Sequence, residues 1–324
     1  MGFLKRFRIL TDSSKRWKLY LLAGILAYFI TINQFITLRP DHVFFVLFLF
    51  MFVLGGEKAK RFIIDWLPFI GFWILYDMMR GVADSWRGYV HIREVYDAEF
   101  LIFGRFFDNL IPAFWFQQFQ YAYADHLFKI VIDVLVANLY SFHFFGPLIL
   151  GWILWHTVGD RRMYYRFVWT LTLLNAMALI TFFLYPAAAP WYVQRFGFDQ
   201  PSGTMFGTAG SLINIDNMIK MKFFTNIWDN MNPNHFAAIP SLHGAYPIVI
   251  SLFAFLKFRK YQTLFILYSV LTWWAAVYLN HHYIIDLLIA AIYVAAAYWI
   301  NHKILMPKVF DPLLFKKPGA NEKL

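Results

Sequence analysis

The sequence predicts an all-α polytopic membrane helix bundle of about eight spans, and three observations lead there. Of its 324 residues, 60% are hydrophobic and only 15% are charged. Aromatic residues reach 22%, well above the level of ordinary soluble domains. Apolar runs of roughly 20 residues, enough to cross a hydrocarbon core about 30 Å thick, recur along the whole chain rather than at one end. A soluble or secreted protein is excluded. There is no cysteine, which rules out a disulfide framework, a thiolate nucleophile and a Cys-ligated metal. The start "MGFLKR" has Arg where a myristoylation signal wants Ser or Thr, and no cleavage site follows the first apolar run, so the first helix is expected to be retained.

In chain order the expected spans are 19–38, 42–55, 62–79, 130–157, 167–185, 241–257, 262–279 and 283–303. The second, "HVFFVLFLFMFVLGG", is short, and it tilts, re-enters or pairs with the first as a hairpin. Residues 80–129 hold "FGRFFDNLIPAFWFQQFQYAYADHLF", which suits helices lying in the interface with rings at headgroup level, as a lipid-handling vestibule or as ordinary interfacial packing. With both termini cytoplasmic, the inner segments carry 20 of the 29 Lys and Arg residues, as the positive-inside rule requires. The formal net charge of +10 then sits beside anionic headgroups, and nucleic acid is not needed to explain it. The basic tail "FKKPGANEKL" reads as a solvated end, and no internal repeat or low-complexity segment is visible.

That topology gathers polar residues at the outer boundary. His243 opens the sixth span, His281 and His282 follow the seventh, and Asp286 begins the eighth. Ionisable groups at the edge of spans are costly, so each is a candidate for function. In "HHYIID", His282 and Asp286 stand at i and i+4 and share one helix face. A carboxylate there accepts one imidazole N–H, sets the tautomer and leaves the other nitrogen as a nucleophile. His243 supplies a second imidazole. His281 is the rival to His282 but lacks the i+4 carboxylate, and His126, His156 and His302 have no such partner either.

"IPSLHGAY" followed by "HHYIID", with His282 39 positions after His243, resembles the paired signatures of the type 2 phosphatidic acid phosphatase superfamily. "PSLH", "WWAAVYLNHHYIIDLLIA" and "YPAAAPWY" at 185–192 resemble its inositol phosphorylceramide synthase-like branch in particular. The resemblance covers roughly residues 130–303. It implies a six-helix phosphatase-like core plus an N-terminal hairpin. Residues 1–60 would form the cytoplasmic segment and hairpin, and 61–324 the catalytic membrane domain with extracytoplasmic loops 80–129 and 186–240. It also implies that His282 attacks phosphorus to form a phosphohistidine, that Asp286 orients it, and that His243 protonates the leaving oxygen and then activates the incoming hydroxyl.

The sequence departs from the classical phosphatases in instructive ways. Their Ser-Arg pair upstream of the second His falls on Ala275 and Ala276, their "KxxxxxxRP" element is absent, and the Gly of their "PSGH" is Leu242. The literal "PSG" at 201–203 is followed by Thr204 and reads as an unrelated loop. Without clamping arginines, a diester substrate is favoured over a more highly charged phosphomonoester. Candidate substrate-binding residues are Arg80 in "YDMMRG", Arg195, His143 in "YSFHFFGP", Ser241 and Tyr283, with Asn280, Lys220 and Lys222 as further outer-side polar groups. Arg80 either clamps phosphate or snorkels to the interface. His143 either contacts substrate or packs between helices.

The expected function is transfer of a phospho-headgroup, phosphoinositol first, from a phospholipid donor to a lipid hydroxyl acceptor such as that of ceramide. The alternative is a lipid phosphatase acting on phosphatidic acid or a polyprenyl pyrophosphate. A metal site built from His243, His282, Asp286 and His235 is the less favoured reading, since the resemblance implies chemistry without metal or other cofactor. A transporter is disfavoured because the cluster lies at one membrane face and no half-repeat is present. The expected setting is a bacterial inner membrane or a Golgi-type membrane, with the centre facing the extracytoplasmic or lumenal side.

Overall fold

The computed structural model describes residues 56–78, 86–157, 160–202, 210–231 and 234–315, together with a few isolated positions between 20 and 27. The first two expected spans lie almost wholly outside the described residues, and Arg80 lies outside them too. The chain divides into two compact units, Met1–Asp77 and Met78–Leu324. In the first, helix α1 (Gly56–Met78) corresponds to the third expected span. Its inner stripe reads Phe62, Trp66, Phe69 at i, i+4, i+7, with Phe62 stacked on Trp66 at 5.3 Å and Trp66 edge-on to Phe69 at 6.0 Å.

The second unit is mostly helical, and among its described residues the only strand-like pairings are isolated bridges joining His91, Ala187 and Ala237. Two short helices come first, α2 (Arg93–Phe103) and α3 (Pro112–Ala122). The long helices α4 (Leu127–Trp152) and α5 (Arg161–Leu184) follow. Three short helices, α6 (Pro190–Phe196), α7 (Leu212–Ile219) and α8 (Phe223–Met231), lead to α9 (Leu242–Lys257). Then come α10 (Gln262–Tyr278), α11 (Ile284–Ile300) and the short α12 (Asp311–Leu314). The helices at 127–156, 161–184 and 284–314 are long and apolar enough to cross a membrane, and α9 is a shorter apolar helix. The last helix runs past its expected end at 303 because its ladder continues as a π-helix over Asn301–Phe310. Asn301 anchors that continuation by donating to the Arg166 carbonyl at 2.7 Å and to Thr170 Oγ1 at 2.9 Å.

The long helices are patterned for lipid. Along α4 the residues turned outward are Leu127, Val131, Leu135, Phe142, Phe145, Ile149 and Trp152, whereas Ala137, His143, Gly146 and Gly151 face inward. Along α11 the inward stripe is Asp286, Ala290, Val294, Ala297, and Leu288, Ile292 and Trp299 face outward. Hydrocarbon solvates large apolar groups as well as a protein interior does, so small and polar residues are the ones drawn between helices. α9 is the hub, packing on α4, α5, α10 and α11.

The sharp turn from α10 to α11 fixes the position of the candidate site. A helix end leaves carbonyls without partners, and in apolar surroundings these must be satisfied. Three successive carbonyls here are bonded by three different segments. Gln120 and Gln117 of α3 donate to Tyr278 O at 2.6 and 3.2 Å, Ser211 N donates to Leu279 O at 3.1 Å, and Trp191 N donates to Asn280 O at 3.0 Å. Asn280 itself adopts φ +65°, the left-handed value that lets the chain reverse. The segments after α2 and after α5 are therefore fastened to this turn.

Gly210 is required where the second of those segments meets the turn. Its φ is +51°, and a Cβ would stand 2.5 Å from Leu279 O and 2.9 Å from His281 Nε2. Gly210→Ala is expected to destabilise the protein by roughly 1–3 kcal/mol. A thermal melt of the detergent-purified variant checks this, and an unchanged melting temperature would contradict the close approach.

Candidate active site

α9 begins at Leu242 because Ser241 caps it, its Oγ accepting from Gly244 N at 3.0 Å. The Ser241 N–H donates to the carbonyl of Asp286 at 3.3 Å, tying the start of α9 to the first turn of α11. His243 is thereby held opposite His282, which lies in the α10–α11 turn. His243 Nδ1 and His282 Nε2 are 3.0 Å apart, and His282 Nδ1 is 3.2 Å from Asp286 Oδ2. Asp286 Oδ2 also accepts from Tyr283 N at 2.9 Å.

An ionised carboxylate only accepts, so the proton between His282 and Asp286 resides on His282 Nδ1. His282 Nε2 then presents its lone pair to His243, whose Nδ1–H donates to it. His243 Nε2 has no hydrogen-bond partner among the described residues. His282 and Asp286 are buried, and burial pushes the His282 pKa down to about 3, keeping its imidazole neutral.

The walls are aromatic. Tyr140 stacks on His243 at 4.5 Å with the ring planes 9° apart, Trp228 lies over it at 6.0 Å, and the His143 ring is 4.1 Å away. His143 Nδ1 faces the Tyr140 carbonyl one turn back in α4. An apolar groove of about 410 Å³ opens between α9 and α10, lined by Ile248, Leu252, Phe255, Ile266, Val270 and Trp273. The Trp273 indole N–H donates to the carbonyl of Gly244, the residue after His243, at 3.0 Å.

The predicted site residues are thus partly united. His243, His282 and Asp286 meet as the spacing suggested, and His143 joins them as a buried neighbour. His281 has its ring against Trp228 at 4.1 Å and Tyr140 at 5.0 Å, the same two rings that wall His243. Ser241 uses its hydroxyl oxygen as a helix cap, and Tyr283 is the buried residue immediately before α11. Arg195 is not drawn in: it is exposed on α6, with its guanidinium over Phe196 at 5.3 Å. His235 stands edge-on to Trp191 at 6.5 Å. Among the described residues no group of three or more His, Asp or Glu is arranged to hold a metal ion. Ala275 and Ala276 are fully buried, and the Ala276 carbonyl accepts from His281 N at 3.0 Å and His282 N at 3.2 Å.

Sequence reasoning missed Tyr140, Trp228 and Glu99. Tyr140 precedes His143 by three residues and so shares its helix face, a signal that was available. Glu99 carried one as well, since a carboxylate four residues after Val95 falls on the buried stripe of α2. Trp228 had none, because only the path of the chain from α7 to α9 brings it near His243.

An all-helical membrane bundle that buries two imidazoles and a carboxylate against one another defines a class of integral membrane enzyme centre. Residues 114–300, more than half of the chain, match the family model described as PAP2 superfamily, and the chain belongs to that superfamily. It is 30% identical over 260 residues to the phosphoinositol dihydroceramide synthase of Bacteroides thetaiotaomicron, covering 78% of this chain and 81% of that protein. It is 27% identical over 281 residues to the inositol phosphorylceramide synthase catalytic subunit of Saccharomyces cerevisiae, covering 85% of this chain and 65% of the yeast protein. With the inositol phosphorylceramide synthase of Candida albicans it shares 24% identity over 231 residues, 71% of this chain and 46% of that one. The chain therefore spans less than two thirds of either fungal protein. No solved structure matches it.

Ser241→Ala separates capping from substrate binding. The expected result is a loss of about 1 kcal/mol in stability with KM little changed. A raised KM at unaltered stability would assign the hydroxyl to substrate instead.

Proposed function

We propose that this protein transfers phosphoinositol from phosphatidylinositol to the primary hydroxyl of ceramide or dihydroceramide, releasing diacylglycerol. The observation that carries the reading is the hydrogen-bonded line His243, His282, Asp286, set in a bundle whose relatives are named for this transfer. The phosphatase alternative is less well supported. Its clamping Ser-Arg positions are the buried Ala275 and Ala276, and the relatives are synthases.

In the first half-reaction His282 Nε2 attacks phosphorus, the bond from phosphorus to the diacylglycerol oxygen breaks, and His243, protonated, gives its proton to that oxygen. Asp286 holds the proton on His282 Nδ1 and stabilises the positive charge that develops on the ring. In the second, the neutral His243 takes the proton from the acceptor hydroxyl. The hydroxyl oxygen attacks phosphorus, and the N–P electron pair returns to Nε2. The atoms balance, and His243 ends protonated as it began. An anionic diester beside His243 favours its imidazolium form, which the first step needs. The lone pair that attacks is the one His243 now caps, so phosphorus enters only as the two nitrogens, 3.0 Å apart, separate.

Burial of His282 and Asp286 keeps bulk water from the intermediate, which favours a lipid hydroxyl over hydrolysis. The groove offers a place for a hydrocarbon chain, and its Trp273 bonds the carbonyl of Gly244, the residue after His243. By the distribution of Lys and Arg, the centre opens to the extracytoplasmic or lumenal side, with both termini cytoplasmic. Arg80 is the candidate phosphate-facing cation, and His143 shapes the pocket behind His243.

Purified protein given phosphate-labelled phosphatidylinositol and ceramide should place the label in a new ceramide-containing lipid. Label released into water would instead mark a hydrolase. His282→Ala and Asp286→Asn should each lower turnover by at least about a thousandfold while the melting profile stays cooperative. Full activity in His282→Ala would overturn the covalent mechanism.

A further inference from the structure

Glu99 is a fully buried carboxylate that the proposed reaction does not use. It lies on α2, 185 positions from the backbone it binds: Oε1 accepts from Ile284 N at 2.9 Å and Oε2 from Ile285 N at 3.1 Å. Among the described residues no Lys, Arg or His forms an ion pair with it. Its compensation comes from the amino end of α11, where unpaired N–H groups and the helix dipole favour an anion. Asp286 takes the N–H just before these two, that of Tyr283. The two carboxylates thus divide the first exposed amides of the helix between them, and one of the two is the partner of His282.

Resting on the transferase reading above, we infer that Glu99 is a positioning residue for the reaction. As a two-oxygen clamp on Ile284 and Ile285, it sets the height and rotation of the first turn of α11, and with them the line from Asp286 through His282 to His243. It touches neither substrate nor imidazole and acts through the helix end. A bidentate carboxylate suits this task because each oxygen holds one amide at a separate point, which resists both tilt and rotation of the turn. The i, i+4 pair cannot set its own orientation, since Asp286 rides on the helix to be oriented and His282 lies in the turn that leads into it. Misplacement by about 1 Å at such a centre is enough to cost on the order of a hundredfold in rate.

The clamp depends on ionisation. Burial raises the Glu99 pKa to about 7, the amides of Ile284 and Ile285 oppose that rise, and the nearby Asp286 adds to it. The titratable groups around it are Asp286 and Tyr283 at the start of α11 and Tyr96 on its own helix. Above about pH 7 the group is a carboxylate and both bonds form. Below that it gains a proton, and one oxygen ceases to be a good acceptor.

The test compares wild type with Glu99→Gln and Glu99→Asp in detergent micelles containing phosphatidylinositol and ceramide, with His282→Ala run alongside. For Glu99→Gln, kcat should fall between about tenfold and about a hundredfold with KM for phosphatidylinositol within about twofold. Wild type is expected to lose kcat as pH drops through about 7, and that decline should vanish in Glu99→Gln, which has no proton to gain. Glu99→Asp, shorter by one methylene but ionisable, should restore that decline and part of kcat. An acid limb that persists in Glu99→Gln, or a wild-type kcat in its folded fraction, would overturn the clamp and leave Glu99 a packing residue. If Glu99→Gln does not fold, a full wild-type kcat in Glu99→Asp would overturn it equally. Activity retained in His282→Ala would count against the covalent mechanism alone, because the Glu99 comparison reads a change of kcat and of pH profile whichever group attacks.

Discussion

The amino end of α11 carries backbone N–H groups that no carbonyl of its own helix can reach, and in a buried setting they must find acceptors. Asp286 and Glu99 meet that need, the first for Tyr283 and the second for Ile284 and Ile285. Much of the site follows from it. Because Asp286 faces back along the helix to bond Tyr283, its carboxylate stands beside His282, one turn earlier, and holds the proton of Nδ1. That in turn leaves Nε2 directed at His243. Helix capping and the proposed chemistry of the centre therefore share one carboxylate.

The end of α10 poses the opposite problem a few residues earlier, where carbonyls lack donors. Gln117 and Gln120, Ser211 and Trp191 supply them from three separate segments. The stretch Tyr278–Ile285 thus presents carbonyls at one end and amides at the other, most of them satisfied by chain that lies far away in sequence. Unmet backbone groups are costly away from water, and meeting them here draws the extramembrane segments down around the imidazoles. The enclosure around the imidazoles is in this sense a by-product of satisfying the backbone.

Helix packing supports the same end. In a hydrocarbon solvent, burying a leucine gains little, so α4 and α11 turn their large residues outward and pack through Ala, Gly and the polar groups. Close approach of α9, α10 and α11 is what allows two imidazoles on different elements to stand 3.0 Å apart. The absence of clamping Ser and Arg at positions 275 and 276 belongs to this design. Two alanines let the α10 end pack tightly, and the Ala276 carbonyl holds the amides of both His281 and His282.

The helices, their apolar periodicity and the pairing of His282 with Asp286 were legible in the sequence because each is a local property, set within a turn or two of chain. That His282 and not His281 pairs with a carboxylate was legible for the same reason, since only one of them has a carboxylate at i+4. Other features depended on distance. His243 meets His282 across 39 residues, Glu99 reaches α11 across 185, and Tyr140 and Trp228 come to His243 from two different segments. Ser241, a candidate substrate ligand, has its hydroxyl oxygen engaged as a helix cap, and Arg195, another candidate, stands exposed over Phe196. Spacing along one helix determines which side chains share a face, and that much the chain declares by itself. Which faces meet, and which polar groups are left needing partners when they do, is decided only when the helices pack, because those contacts join residues whose separation in sequence carries no period to read.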